Sequence, residues 1–312
     1  MARQALTPEM ARVLANIARA RRPAWRALDV AQARLAYDGA AEVLDLPRAT
    51  LARVDALQIP SRDGTPLPAR LYAGDASHPG VLLYLHGGGF TIGSLQTHDS
   101  LCRQLALRSG AAVVALAYRL APEHRFPTAV HDACDAMQWL AREGHRLGLD
   151  VTRLAVGGDS AGGTLAAVCA IHARETGLAL RAQLLITPGT ATGTDSDSYR
   201  DYGSGYLLDV DDVQWFFDHY ADAAQRQDWR FAPLRAESLD DVAPVCMVLA
   251  ECDPVVDDGI AYADRLRASG VPLAFDLVRG VTHDFIKMGR VLPQAQQALS
   301  FIGQTLRTAL QP

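Results

Sequence analysis

Lysine is almost missing from this chain: Lys287 is the only one among 30 Lys and Arg residues, and the arginines are spread along the whole length. A protein that neutralises nucleic-acid phosphates clusters its cations and usually carries net positive charge. The formal net charge here is −5, with a pI near 6.0. No nucleic-acid partner is expected, and the arginine preference reads as a genomic or codon bias. The five cysteines (Cys102, Cys134, Cys169, Cys246 and Cys252) are odd in number and include no CxxC pair, which argues against zinc or redox work. They are expected to be small buried hydrophobes. No apolar run approaches the roughly 18 to 20 residues of a membrane span. The first residues are charged and helical, without the apolar core of a signal peptide. A soluble, reduced compartment, most simply the cytoplasm, is the expectation. Repeats are absent, as are the glycine patterns G-x-G-x-x-G and G-x-x-x-x-G-K-[ST] of nucleotide-binding loops.

What is present is a globular composition. With 312 residues, 49% hydrophobic and 21% charged, the chain can build one large domain or two ordinary ones. Thr7-Pro8-Glu9 is a helix start: a capping hydroxyl, a proline at the first helical position, then an acid near the positive end of the dipole. Met10, Val13, Leu14 and Ile17 follow at helical spacing, and a second helical stretch runs from about Asp29 to Leu44. From Arg53 the period changes. Val54 to Ile59 and Leu67 to Tyr72 flank the turn Ser61-Arg62-Asp63-Gly64 as an antiparallel hairpin.

Five short apolar runs then alternate with helical patterns: Val81 to Leu85, Ala112 to Leu116, Leu154 to Val156, Ala182 to Ile186 and Val245 to Leu249. The helices between them are expected at about Leu95 to Arg108, Thr128 to Gly144, Ala161 to Arg174 and Asp257 to Ser269. A last strand near Leu273 to Val278 and a helix from Pro293 to Leu310 follow. This rhythm predicts an α/β fold with a mainly parallel sheet covered by helices on both faces. From Pro188 to about Trp229 it breaks into a stretch with no convincing strand, rich in aromatics from Tyr199 to Tyr220. Its economical place is a lid over the carboxyl edge of the sheet, against the N-terminal helices.

Two glycine motifs carry chemistry. Gly158-Asp159-Ser160-Ala161-Gly162 follows a strand and opens a helix, the setting in which G-x-S-x-G presents a serine on a strained turn. His86-Gly87-Gly88-Gly89 also follows a strand. Acyl transfer passes through an oxyanion, which needs backbone N–H groups already aimed at it, and glycines permit such a loop. His86 is expected to brace that loop rather than move protons. A serine needs a base and an orienting acid, in the hydrolase order Ser, acid, His. Asp253 lies just after the strand Val245 to Leu249, and His283 is the only histidine downstream of it. Asp257 and Asp258 are rival acids, placed better to interact with the start of their own helix.

At this point the sequence resembles the hormone-sensitive-lipase-like branch of the α/β-hydrolases, bacterial carboxylesterases whose elbow reads GDSAGG. The resemblance covers nearly the whole chain. It rests on His86 to Phe90, Tyr118 to Pro127 (YRLAPEHRFP), Gly158 to Gly163, Asp253-Pro254 with Asp257, and His283-Asp284-Phe285. It implies Ser160 as nucleophile, His283 as general base and then acid, Asp253 as the carboxylate that orients it, and the N–H groups of Gly88, Gly89 and Ala161 as the oxyanion hole. The implied architecture is a catalytic domain of residues 51–187 and 230–312, N-terminal cap helices at 1–50 and a cap insertion at 188–229. Phe90, Tyr206, Leu207, Trp215 and Phe216 are candidates for the substrate pocket. The YRLAPEHRFP stretch, with Arg119 and Glu123, reads as a structural loop. Thr164, His131 and Val255-Val256 depart from the family pattern without touching the triad.

The expected activity is hydrolysis of short- to medium-chain carboxylic esters through an acyl-enzyme, with no metal or organic cofactor and a small-molecule ester as the partner. Homodimers are common in the family, and nothing in the chain specifies an interface. The alternatives are an amidase or lactone hydrolase with the same triad, and a non-catalytic binding protein of this fold. The presence of His283 counts against the last.

Overall fold

The computed structural model describes residues 6–21 and 23–311. Strands β1 (Arg53–Pro60), β2 (Pro66–Ala73), β3 (Gly80–Leu85), β4 (Ala112–Leu116), β5 (Asp150–Asp159), β6 (Ala182–Ile186), β7 (Val245–Ala250) and β8 (Leu273–Val278) form one eight-stranded sheet in the order β1-β2-β4-β3-β5-β6-β7-β8. β1 pairs antiparallel with β2, and β2 with β4. From β4 through β3, β5, β6 and β7 to β8 every pairing is parallel. The strands β3, β4, β6 and β7 are buried along their whole length, as expected of parallel strands covered on both faces. Edge strand β1 alternates half-buried and exposed residues instead.

Two helical layers supply the cover. Helices α3 (Asp99–Ser109) and α9 (Pro293–Leu310) pack on one face, where Met10 and Val13 of α1 (Pro8–Arg19) join them. Helices α4 (Thr128–Glu143), α5 (Ala161–Thr176) and α8 (Val256–Ala268) pack on the other. Each fully buried Leu, Ile or Val of these layers contributes about 1.5 to 3 kcal/mol of transfer free energy. The five cysteines are buried and unpaired within this core.

Beside the two layers lie α2 (Val30–Ala40), α6 (Asp197–Tyr202) and α7 (Val210–Tyr220). A capping hydroxyl starts α1, where Thr7 Oγ1 accepts the Met10 N–H at 3.2 Å, and a reciprocal Asp29–Gln32 capping box starts α2. Ala33, Ile92 and Phe216 form a small apolar cluster with Trp25, Leu28, Tyr37, Leu208 and Trp215, so the N-terminal segment and the insertion after β6 bury their apolar faces against each other. Arg34 fastens α2 to the body, donating to the carbonyls of Thr91 and Ala121, each at 2.9 Å, and to Glu123.

Several boundaries differ from the sequence expectation, three of them with a visible cause. α2 stops at Ala40 rather than Leu44, where the chain turns through Glu42 at φ 62°. α3 begins at Asp99 rather than Leu95, because Ser94 and Thr97 exchange hydrogen bonds in a turn before it. β5 extends through Gly157, Gly158 and Asp159, since those residues pair with β3 and β6 right up to the motif serine.

Candidate active site

Ser160 stands between the end of β5 and the start of α5 at φ 52°, ψ −122°, a backbone conformation that costs an L-residue of order 1 to 3 kcal/mol. The surroundings hold it there. Its N–H donates to the Ile186 carbonyl at 2.8 Å. A Cβ on Gly162 would overlap the Leu85 carbonyl, and one on Gly158 would run into Leu85 and Gly162, so only glycine lets β3, β5 and α5 meet here.

β7 delivers Asp253 and the loop after β8 delivers His283 to the same point. His283 Nδ1 lies 2.6 Å from Asp253 Oδ2, and its Nε2 lies 2.9 Å from Ser160 Oγ. Asp253 is 1% exposed, and its other oxygen accepts the Val255 N–H at 3.0 Å. A carboxylate next to Nδ1 fixes the proton on that nitrogen, leaving Nε2 as acceptor for the serine hydroxyl. Burial opposes the charged form of His283, but the charge and hydrogen bond of Asp253, with Asp284 and Asp159 farther away, outweigh it and raise its pKa from 6.5 to about 9. The rival Asp257 is engaged elsewhere: its carboxylate accepts the Ser198 N–H at 2.8 Å, tying α6 to the start of α8. Asp258 is buried, and burial with the nearby Asp253 and Asp257 charges raises its pKa to about 7.

The glycine loop after β3 turns through left-handed conformations at Gly88 (φ 117°) and Gly89 (φ 55°). Among the described residues, the N–H groups of Gly88, Gly89 and Ala161 take no part in the backbone hydrogen bonds of loops and caps. His86 underpins the loop. Its ring stacks on Tyr118 at 4.4 Å, Tyr118 Oη donates to the His86 carbonyl at 2.7 Å, and Nδ1 meets the Gly87 carbonyl at 2.8 Å. Burial and then the electrostatic influence of His98 push its pKa down to about 3, so it is neutral. The following YRLAPEHRFP stretch is pinned by Arg119, which grips Asp132 through two nitrogens at 2.6 and 3.0 Å.

The five expected pocket residues divide. Phe216 lies against the glycine loop, so closely that a Cβ on Gly89 would overlap its ring, and Trp215 packs edge-on to Phe216 at 5.1 Å. Tyr206 packs edge-on to Tyr202 at 5.2 Å, and Leu207 lies against the α3/α9 side of the core. Phe90 turns inward and stacks on Tyr220 at 3.9 Å within the main core. Sequence reading passed over His98 and Tyr84, which meet Asp159 beneath the glycine loop. His98 sits in the polar run Gln96-Thr97-His98-Asp99-Ser100, where nothing in the sequence marks it. Thr164, a departure from the family pattern, donates to the Gly189 carbonyl at 2.6 Å and ties α5 to the insertion.

The model of the α/β-hydrolase fold matches residues 82–287, which span the glycine loop, the elbow, Asp253 and His283. The chain belongs to the α/β-hydrolase family. Its relatives place it in the hormone-sensitive-lipase-like carboxylesterase branch. An ethyl acetate hydrolase of Pseudomonas putida is 44% identical over 261 residues, covering 81% of this chain and 82% of its own. An arylesterase of Saccharolobus solfataricus is 36% identical over 244 residues, covering 77% and 79%. Among solved structures, a thermostable esterase from Pseudomonas putida superposes with a TM-score of 0.94 at 32% identity, over 99% of this chain and 98% of its own. For this carboxylesterase chain, no described helix is long and apolar enough to cross a membrane, and no group of three or more His, Cys, Asp or Glu among the described residues could hold a metal ion.

Proposed function

We propose that the protein hydrolyses small, neutral esters of short- to medium-chain carboxylic acids, with Ser160 as nucleophile, His283 as base and acid, and Asp253 as the orienting carboxylate. The observation that carries this reading is the continuous relay from Asp253 Oδ2 to His283 Nδ1 (2.6 Å) and from His283 Nε2 to Ser160 Oγ (2.9 Å) beside the glycine loop. His283 Nε2 takes the hydroxyl proton as Oγ bonds to the ester carbonyl carbon. The carbonyl oxygen gains the negative charge, and the N–H groups of Gly88, Gly89 and Ala161 hold it. Collapse breaks the bond to the alcohol oxygen, which leaves with the proton from Nε2. Water, deprotonated by the same nitrogen, then attacks the acyl carbon, and the bond to Ser160 Oγ breaks as Nε2 returns the proton to Oγ, releasing the acid.

Residues 1–50 and 188–229 act as a cap on a catalytic domain of residues 51–187 and 230–312. The support is the shared cluster of Trp25, Leu28, Ala33 and Tyr37 with Leu208, Trp215 and Phe216, and the seat of Phe216 on Gly89. Phe216 and Trp215 line the acyl or alcohol side of the pocket, while Phe90 supports the loop from below. The same triad also serves amide and lactone hydrolysis, so the leaving group decides. Turnover of p-nitrophenyl esters from acetate to dodecanoate, with one matched anilide, tests the reading. The expected result is rapid cleavage of the shorter esters, slow cleavage of the anilide, and loss of both in Ser160→Ala. An anilide cleaved faster than its ester, or an active Ser160→Ala protein, contradicts it.

A further inference from the structure

Directly before Ser160 stands a carboxylate that the acyl-transfer steps do not use. Asp159 is 2% exposed; its Oδ1 accepts the Tyr84 hydroxyl at 2.6 Å and the Gly87 N–H at 3.1 Å, and its Oδ2 lies 3.1 Å from Nε2 of His98. Both oxygens of this carboxylate are therefore engaged by Tyr84, Gly87 and His98 at the base of the glycine loop.

The proton count around His98, itself 1% exposed, follows from its neighbours. Nδ1 lies 2.8 Å from Thr97 Oγ1. A hydroxyl has one proton and two acceptor sites. The Thr97 proton goes to the Ser94 carbonyl at 2.9 Å, and the Ser94 N–H fills one acceptor site at 2.9 Å. With the hydroxyl proton on that carbonyl, the site turned toward Nδ1 is an acceptor, an arrangement that calls for a proton on Nδ1. On the other side of the ring, burial alone would push Asp159 toward its neutral form. The His98 charge and hydrogen bond, then the Tyr84 hydroxyl, outweigh burial and hold the carboxyl well below the usual carboxylate range. A carboxylate is an acceptor only, so Nε2 also carries a proton.

We propose that His98 is a protonated positioning residue which, through the Asp159 carboxylate, fixes the Gly87 N–H and so aims the Gly88 and Gly89 N–H groups at the oxyanion. The inference rests on the oxyanion-loop reading above. Its physical content is twofold. The buried pair supplies a rigid anchor to the first peptide of a loop that glycine otherwise leaves free. The imidazolium also cancels a negative charge that would oppose the oxyanion forming on the neighbouring residue. The ring of His86, tilted against His98 with centroids 5.5 Å apart, is neutral and leaves that balance unchanged.

The test compares Asp159→Asn, His98→Gln and the double variant with the wild type. Removing one donor from an oxyanion hole typically costs about 10²- to 10³-fold. A misaimed but intact hole should cost less, so kcat is expected to fall about 10- to 100-fold, with KM within about two-fold. The inhibition constant of a trifluoromethyl ketone, whose adduct with Ser160 carries the oxyanion, should rise by the same factor as kcat falls. The double variant should be no slower than the slower single variant, because the two residues act as a unit. A merely structural pair would lower thermal stability and leave kcat and the ketone constant of the folded enzyme unmoved; that result, or multiplicative losses in the double variant, overturns the proposal.

A second measurement needs no variant. Nitrogen-15 histidine spectra of the wild type at neutral pH should show both ring nitrogens of His98 protonated, and one unprotonated nitrogen overturns the proposal. If the esterase reading itself fails, Ser160 of the wild type will not react with a fluorophosphonate, whereas failure of the present inference leaves that labelling intact.

Discussion

Two histidine–aspartate pairs flank Ser160, and the difference between them lies in what the second ring nitrogen meets. His283 offers Nδ1 to Asp253 and Nε2 to the Ser160 hydroxyl, whose proton is free to leave. His98 offers Nε2 to Asp159 and Nδ1 to the Thr97 hydroxyl, which also lies 2.9 Å from the Ser94 carbonyl. Both carboxylates are almost wholly buried, at 1% and 2% exposure. On the readings proposed above, the same pair of side chains is a proton shuttle in one setting and a fixed charge in the other. The wiring of the hydroxyl decides which.

The sharpest way to break the comparison is to remove the shuttle. His283→Ala should lower kcat for an ester by about 10⁴-fold or more, because residues of such a triad act together and leave only the oxyanion hole and binding. That is far beyond the loss expected at His98, and comparable losses at the two histidines would erase the distinction. Next in size is Asp253→Asn, expected to cost up to about 10⁴-fold by freeing the wrong tautomer.

Asp253 also sets a pH signature. Since His283 acts as base only when neutral and its pKa is raised to about 9, kcat/KM should climb between pH 6.5 and 9. In Asp253→Asn the raising charge is gone and burial remains, so the residual activity should reach its plateau at lower pH. A wild-type profile that is flat above pH 6.5 contradicts the coupling. The sign for stability is opposite. A group whose pKa is higher in the folded state binds more protons there, so the stability from the His283–Asp253 pair is present below pH 6.5 and lost as pH rises through about 9. The stability gap between wild type and Asp253→Asn should therefore narrow from pH 6 to pH 10, read by denaturant unfolding.

The smallest expected effect lies in the cap. Phe216→Ala opens space against Gly89 and should shift the preferred acyl chain, changing kcat/KM by about 3- to 10-fold between short and long esters, a size in keeping with methylene-scale pocket discrimination. Equal changes for all chain lengths would remove Phe216 from the pocket.

The sheet was legible because its strands are short apolar runs between amphipathic helices; β4 and β6 fall at the residues their patterns indicate. The meeting of Ser160, Asp253 and His283 was legible because their order and their places at strand ends constrain them. Glycine misled at β5: Gly157 and Gly158 read as turn residues, yet they pair as strand because α5 must approach closely there. The His98–Asp159 pair joins residues 61 apart that share no local pattern. Hydrogen-bond wiring of this kind depends on three-dimensional placement, and neither period nor motif carries it. The stacking of Phe90 on Tyr220 is likewise a contact between distant residues that no local pattern announces.

The central claim, that Ser160 is activated by His283 and Asp253, is tested most directly by the intact mass of the protein after treatment with a fluorophosphonate. The account predicts a single phosphonyl adduct on the wild type and none on Ser160→Ala, with labelling slowed by orders of magnitude in His283→Ala. An unmodified wild type, or an adduct that survives the loss of Ser160, contradicts it.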